Sequence, residues 1–291
     1  MKIGIALSGG GVKGAAHIGV LKALQEENIE ISAISGTSSG SIVATLYACG
    51  YNPDEIFYIF KRYCKCITDY DKMIPFKIIN TVFTGKIKLK SIAKGNNLEY
   101  IINQMCYKKN KSDIKEIDIP FAIPTVDIRN GEIVYFLNRK VSEKRRTKFD
   151  DNPSYVYNGK LSSIVRASAS FPGVFEPKMI NEFLLVDGGV RMNTPVTILN
   201  EIKENNEKII SVSFEKVDGN RVPQNIIDVS LKSFDIMGHH VNQNEIEKSD
   251  FDIEIESKGI SLLDISKIDY MVNLGYNTTK KNLDKIKSVL E

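Results

Sequence analysis

Three scarcities in this chain narrow what it can do. Histidine occurs only at His17, His239 and His240. His17 falls one to two turns into a helical pattern, where it packs or hydrogen-bonds near a sheet edge. His239 and His240 sit inside another helical pattern, with no loop to present them. A Ser-His-Asp arrangement is therefore poorly supported. Cysteine occurs four times, at Cys49, Cys64, Cys66 and Cys106. No CxxC pair and no neighbouring histidine supplies zinc-ligand spacing, so no metal or other cofactor is expected. The thiols read as reduced, some of them buried as small hydrophobes. No apolar run approaches the roughly 18 residues that span a bilayer. Met1-Lys2-Ile3-Gly4 enters a strand pattern at once and lacks the features of a signal peptide, so the expected location is cytoplasmic.

What is present is an alternation of strand and helix patterns. The 291 residues are 42% hydrophobic and 26% charged, ordinary values for a soluble globular chain. Strand patterns at Ile3–Leu7 and Ile31–Ile34 are each followed by a helical one, Ala15–Glu27 and Ser41–Cys49. Asn52-Pro53-Asp54 marks another helix start, and Leu98–Met105 reads as a short helix. The block 52–118 delays the next strand and reads as a helical insertion or lid. Strand character resumes at Phe121–Asp127, and Asn130-Gly131 before Ile133–Phe136 announces a hairpin. Leu161–Ala169 reads as a helix. Phe183–Val186, Ile209–Phe214 and Phe251–Ile255 read as strands. Ile226–Glu247 and Ile268–Leu290 read as helices. The expected fold is a three-layer α/β/α domain over residues 1–291 with a mainly parallel central sheet. Its core spans residues 3–214, and a C-terminal helical extension covers about 222–291.

Charge is uneven along the chain although the net value is only +3. Residues 61–115 carry 13 Lys/Arg against 4 Asp/Glu, and Arg139–Lys148 carries 6 against 1. Residues 201–291 reverse the balance, with 12 basic and 17 acidic side chains. The cationic, apolar-rich segment 61–90 leaves two readings open. It is a contact for anionic lipid headgroups, making the protein peripheral to a membrane, or it is a solvated face on a Lys-rich chain. No nucleic-acid-binding motif accompanies the basic stretches.

Two glycine-bearing loops follow the first two strands. Ser8-Gly9-Gly10-Gly11-Val12-Lys13-Gly14 contains a GxGxxG match, the dinucleotide fingerprint, but the second strand ends Ala33-Ile34-Ser35-Gly36 without the acid that would hold a ribose. No Gly-Lys-Ser/Thr completes a P-loop. A third reading is an oxyanion hole made by Gly9, Gly10 and Gly11, whose bare amides precede a helix N-terminus. A plain strand-to-helix turn remains the structural alternative. The second loop, Gly36-Thr37-Ser38-Ser39-Gly40, is a GxSxG match between strand and helix, the setting of a nucleophile elbow. Because a strand–helix–strand crossover is right-handed and its strands run parallel, both loops emerge at one sheet edge. Ser38 is the candidate nucleophile, with a helix cap as its alternative. Ser39 and Ser41 read as cap or first-turn residues.

A serine nucleophile needs a proton acceptor. Asp187 ends an apolar strand before Gly188-Gly189, and it projects at the same edge if that strand runs parallel. Apolar surroundings would raise its pKa and strengthen it as a base. Its alternative is a turn aspartate serving its own loop.

Taken together, Gly9–Leu21, Gly36–Gly40 and Asp187-Gly188-Gly189 resemble the motifs of the patatin-like phospholipase family, in its bacterial form. Ala167–Pro177 also looks like the family's segment before its catalytic aspartate, and the four blocks occur in family order. The resemblance implies a Ser-Asp dyad, with Ser38 as nucleophile and Asp187 as base. It implies an oxyanion hole from the Gly9–Gly11 amides and hydrolysis of lipid acyl esters without a metal. The expected partner is a lipid or phospholipid substrate. Two other classes stay open: a nucleotide-binding protein using the glycine loop, and a catalytically silent scaffold of the same fold.

Overall fold

Strand β1 (Lys2–Leu7) passes through a short 3-10 turn at Gly11–Ala15 into helix α1 (Ala16–Glu26) and returns as β2 (Glu30–Gly36), which leads into α2 (Ser39–Ala48). The computed structural model describes residues 1–66, 91–141, 153–204, 207–215, 222, 226–257 and 259–291. The apolar stretch Met73–Phe83, residues 67–90 of the basic segment and residues 142–152 of the basic loop lie outside the described residues.

Helix α3 (Pro53–Tyr63) starts on a capping box: the Asn52 carboxamide accepts the Glu55 N–H, and the Glu55 carboxylate accepts the Asn52 N–H, both at 2.9 Å. Pro53 occupies the first turn, where no backbone donor is needed. After α4 (Asn96–Lys108), β3 (Phe121–Asp127) and β4 (Ile133–Leu137) form the expected antiparallel hairpin, with Gly131 at φ +75° in its turn. Then follow β5 (Ser154–Val156), α5 (Leu161–Ser168), β6 (Lys178–Ile180), β7 (Phe183–Asp187) and α6 (Val196–Ile202). The described chain closes with β8 (Lys208–Phe214), α7 (Ile226–Ile246), β9 (Phe251–Ile255), α8 (Ile268–Lys281) and α9 (Leu283–Leu290).

The sheet runs β5-β4-β3-β2-β1-β8-β9, with β7 and β6 attached along β3. Strands β3, β2, β1, β8 and β9 are mutually parallel, and β3/β4, β3/β7 and β6/β7 are antiparallel. Alternation along β1 explains the layering. Ile3, Ile5 and Leu7 face one side and join a core with α1, α2 and α8, whereas Ala6 faces the other and packs with Val196, Ile198 and Leu199 of α6. Each large buried aliphatic side chain contributes about 1.5–3 kcal/mol. Small residues let the first layer close: a Cβ on Gly19 of α1 would strike the Val272 carbonyl, and one on Gly275 of α8 would strike the Ala16 carbonyl.

Two expectations change here. The C-terminal region is not an appended helical extension, because β9 pairs with β8 from Ile210↔Phe251 to Phe214↔Ile255. The alternation Ile253 in, Glu254 out, Ile255 in is what builds it into the sheet edge. The condition placed on Asp187 also fails, because β7 runs antiparallel to β3. One edge of β3 is taken by β4 over residues 122–126. The other is shared: Phe121 and Ala122 face Ile34 and Ser35 of β2, and Thr125 to Asp127 face Asp187 to Leu185 of β7. Strand β7 thus occupies the lane of β2 beyond the point where β2 ends, and it runs back towards that end. Asp187 reaches the Ser38 turn head-on from above, so convergence needs no parallel strand.

Candidate active site

The β1 and β2 tips lie side by side, with Leu7 opposite Gly36 in the parallel register. Gly40 has no Cβ because the Leu7 carbonyl occupies that space, so α2 presses against the end of β1. The turn between β2 and α2 holds Ser38 at φ 52°, ψ −120°, a region costly for any residue with a side chain. The fold holds it there with specific bonds. The Ser38 N–H donates to Ser168 Oγ at 3.1 Å, and Ser168 Oγ donates to the Pro124 carbonyl at 2.9 Å. Ser41 Oγ donates back to the Ser38 carbonyl at 2.6 Å, as expected of a first-turn residue.

Segment 187–195 is stitched to the same floor. The Thr37 hydroxyl donates to the Met192 carbonyl and the Ser35 hydroxyl to the Pro195 carbonyl, each at 2.9 Å. The Gly9 N–H donates to the Asn193 carbonyl at 3.0 Å. That bond narrows the expected oxyanion hole, because the Gly9 amide is committed inside the protein. A glycine is still required there, since a Cβ would come within 2.6 Å of Asn193 Oδ1 and 3.1 Å of Ser38 Cβ. Among the described residues, neither the Gly10 nor the Gly11 amide has an acceptor. Gly11 adopts φ +57° with its α-carbon against the Leu262 carbonyl, a position closed to other residues by conformation and by space.

Asp187 is 2% exposed. Its Oδ1 accepts the Gly189 N–H at 2.8 Å, while Oδ2 completes no hydrogen bond. Burial raises its pKa from 3.8 to about 7, against the opposing pull of the Ser38 hydroxyl and the Gly189 N–H. The hydroxyl is thus near enough to favour the carboxylate without making a well-formed hydrogen bond. His17 lies elsewhere in the network. Its Nε2–H donates to the Ser8 carbonyl at 2.8 Å, and burial lowers its pKa to about 4 despite that bond. It supports the first loop as a neutral ring, packed 5.4 Å from the Phe214 ring.

The two loops and Asp187 open onto a cleft of about 410 Å³. One wall is apolar, formed by Ile42, Ala93, Leu98, Phe171, Val174 and Phe175. Buried Arg166 holds that wall in place: its guanidinium donates to the carbonyls of Lys94 and Glu176 and lies 5.2 Å from the Phe175 ring centre. Ser168, Asn193 and Arg166 escaped the sequence reading as named parts of the site, although the first and last fall in the segment 161–177. Their only signal was polar side chains on an otherwise apolar helix and turn. His239, read as lying in a helix without a presenting loop, does line the cleft, from the body of α7.

Among the described residues there is no group of three His, Cys, Asp or Glu able to hold a metal, and no helix long and apolar enough to cross a membrane. Cys49 and Cys106 are free and buried, with their sulfurs 3.6 Å apart.

Comparison with known proteins adds an independent finding. The family model described as Patatin-like phospholipase matches residues 5–200. The chain is 30% identical over 228 residues to a Lysophospholipase NTE1 of Candida albicans, covering 78% of this chain and 14% of that protein. It thus spans about one-seventh of the length of that relative. An uncharacterized protein of Acanthamoeba polyphaga mimivirus is 28% identical over 300 residues, covering 97% of this chain and 94% of the relative. Among solved structures, VipD from Legionella pneumophila superposes with a TM-score of 0.46 at 15% identity, over 97% of this chain and 67% of that one.

Proposed function

The chain belongs to the patatin-like phospholipase family, and from that premise we propose that it hydrolyses carboxylic esters of lipids through an acyl-enzyme on Ser38. The observation that carries this reading is the buried Asp187 carboxylate, with Oδ2 unpartnered beside a serine held on a strained turn. Asp187 takes the Ser38 proton as Oγ attacks the ester carbonyl. The Gly10 and Gly11 amides hold the oxyanion, where each such donor is worth about 3 kcal/mol. On collapse the alcohol leaves with the proton from Asp187. Water then gives its proton to Asp187 and attacks the acyl carbon, and Ser38 departs with that proton restored. A pKa near 7 suits a group that must both accept and return a proton at neutral pH.

The apolar wall accommodates an acyl chain, and Lys65 at the cleft, with Lys61 and Arg62 on the same end of α3, offers cations to an anionic lipid surface. That is the described part of the basic segment 61–90, and vesicle sedimentation with and without anionic lipid tests it.

A fluorophosphonate probe followed by peptide mapping tests the dyad. Labelling is expected at Ser38 in the native protein, none in Ser38→Ala, and slowing by at least a thousandfold in Asp187→Asn. Labelling at another serine, or at an undiminished rate in folded Asp187→Asn, overturns the proposal.

A further inference from the structure

The cleft has two unlike walls, drawn from opposite faces of the sheet. The apolar wall takes Ile42 of α2 and Leu98 of α4 from the α1/α2 layer, and adds the Phe171–Phe175 turn, which clusters with Ala93. The facing wall is α7, which packs on α6 and on the Gly188–Val190 turn that follows Asp187. Gly238, His239 and Asn242 line the cleft from this helix. Asn242 follows Gly238 by four residues and His239 by three, so it is a same-face neighbour of each.

Asn242 is the unusual member. It is 3% exposed, and its Oδ1 is buried with no hydrogen-bond partner among the described residues. A buried acceptor left unmade is costly, and a leucine of similar volume would avoid that cost. Nor is the carboxamide needed to fix the helix. The Glu245 carboxylate already does that, accepting the Thr197 N–H at 2.8 Å and the Thr197 hydroxyl at 2.6 Å at the start of α6. One turn earlier, His239 adds a ring that can donate and accept.

We infer that His239 and Asn242 form the alcohol-side subsite, hydrogen-bonding a free hydroxyl on the polyol half of the ester while the acyl chain lies along the apolar wall. The inference rests on the proposed esterase reading and extends it from the bond cleaved to the ester preferred. Asn242 Oδ1 is turned away from accessible surface in the free protein. A half-turn of the carboxamide exchanges it with Nδ2 and brings it to the cleft, where the hydroxyl supplies the donor it lacks. Gly238 leaves room beside it, since a Cβ there would meet nothing within 4 Å. A site built around a hydrogen bond discriminates strongly against an analogue without the group, whereas an apolar wall tolerates changes of chain length.

The test compares esters of one acyl chain. Ethyl octanoate has no hydroxyl, 1-octanoylglycerol has two without phosphate, and 1-octanoyl-lysophosphatidylcholine has one beside a phosphocholine. The 2-deoxy form of the last has none. Asn242→Leu is expected to lower kcat/KM five- to tenfold for both hydroxyl-bearing esters and less than twofold for the other two. His239→Phe, at a half-buried position, should shift the same ratio. Retention of the effect on 1-octanoylglycerol assigns it to the hydroxyl; an effect on the phosphocholine esters alone, deoxy form included, assigns it to the headgroup and overturns the inference. Equal loss on all four esters, or on none, also overturns it. Binding to Ser38→Ala supplies a readout independent of turnover. Adding Asn242→Leu should weaken 1-octanoylglycerol and leave ethyl octanoate unchanged. A catalytically silent protein that still shows this selectivity sinks the esterase reading alone, and an active one without it sinks only the subsite.

Discussion

The floor of the cleft and its walls are built on different principles. The floor is the meeting of the β1 tip, the β2 tip and the segment after β7. Its polar groups are buried and bonded across long sequence separations: Thr37 to Met192, Ser35 to Pro195, Gly9 to Asn193, Ser38 to Ser168. The rim carries exposed apolar side chains, Leu263 and Ile265 beside the cleft and Ile236 and Met237 on α7. It is tied by surface pairs such as Lys61 with Asp269, which contribute little in water. Floor groups are preorganised at the energetic expense of strain at Ser38 and a buried charge at Asp187. Rim groups are free to adapt to whatever enters. A reaction needs the first arrangement, because donors and base must be in place before charge develops. Accommodating acyl chains of different length needs only the second.

The contrast can be broken most severely through pH. With Asp187 at about 7, kcat/KM on a soluble ester should fall about tenfold per unit below that value, reaching about a hundredfold loss by pH 5. A flat profile from pH 5 to 8 means that no floor carboxylate acts as base. The next effect is kinetic. Ser168→Ala removes the acceptor of the Ser38 N–H and should lower kcat about tenfold with KM within a factor of two. Leu263→Asp at the rim should instead raise KM for long acyl chains and leave kcat on a short ester alone. If both variants change the same parameter, floor and rim are not separate in function.

A separate effect is on stability, and its sign is opposite to that of most carboxylates. Asp187 has a folded-state pKa above its unfolded one. Its charge therefore costs nothing below about pH 4, costs progressively more as pH rises, and costs most above about 7. Asp187→Asn should gain up to roughly 4 kcal/mol at pH 8, or about ten degrees in Tm, and lose that gain by pH 4. An equal gain at both pH values would trace the effect to packing rather than charge.

Much of the site was legible in the chain, for local reasons. Glycines on either side of Ser38, a strand pattern before it and a helical one after it describe a tight turn wherever they occur. Asn130-Gly131 between apolar runs likewise marked the β3/β4 hairpin. Periodicity shows which face of a strand is buried, but it does not show which lane of a sheet the strand enters. That is why the convergence of Asp187 was made conditional on a parallel strand, whereas β7 enters the lane of β2 from the opposite direction. Ser168, Asn193 and Asn242 carry no local signature, because each matters only through a partner, or through the lack of one, far away in sequence.

The amino-acid sequence alone determined the two glycine-bearing turns, their side-by-side emergence from parallel strands, and the chemical types of Ser38 and Asp187. These follow from short-range sterics and from the handedness of one crossover. Only the tertiary structure decided that Asp187 meets Ser38 head-on, that its burial raises its pKa, that the Gly9 amide is already spent, and that α7 brings His239 and Asn242 to the cleft. Desolvation and hydrogen-bond partnership depend on everything packed around a group, and that surrounding exists only once the chain has folded.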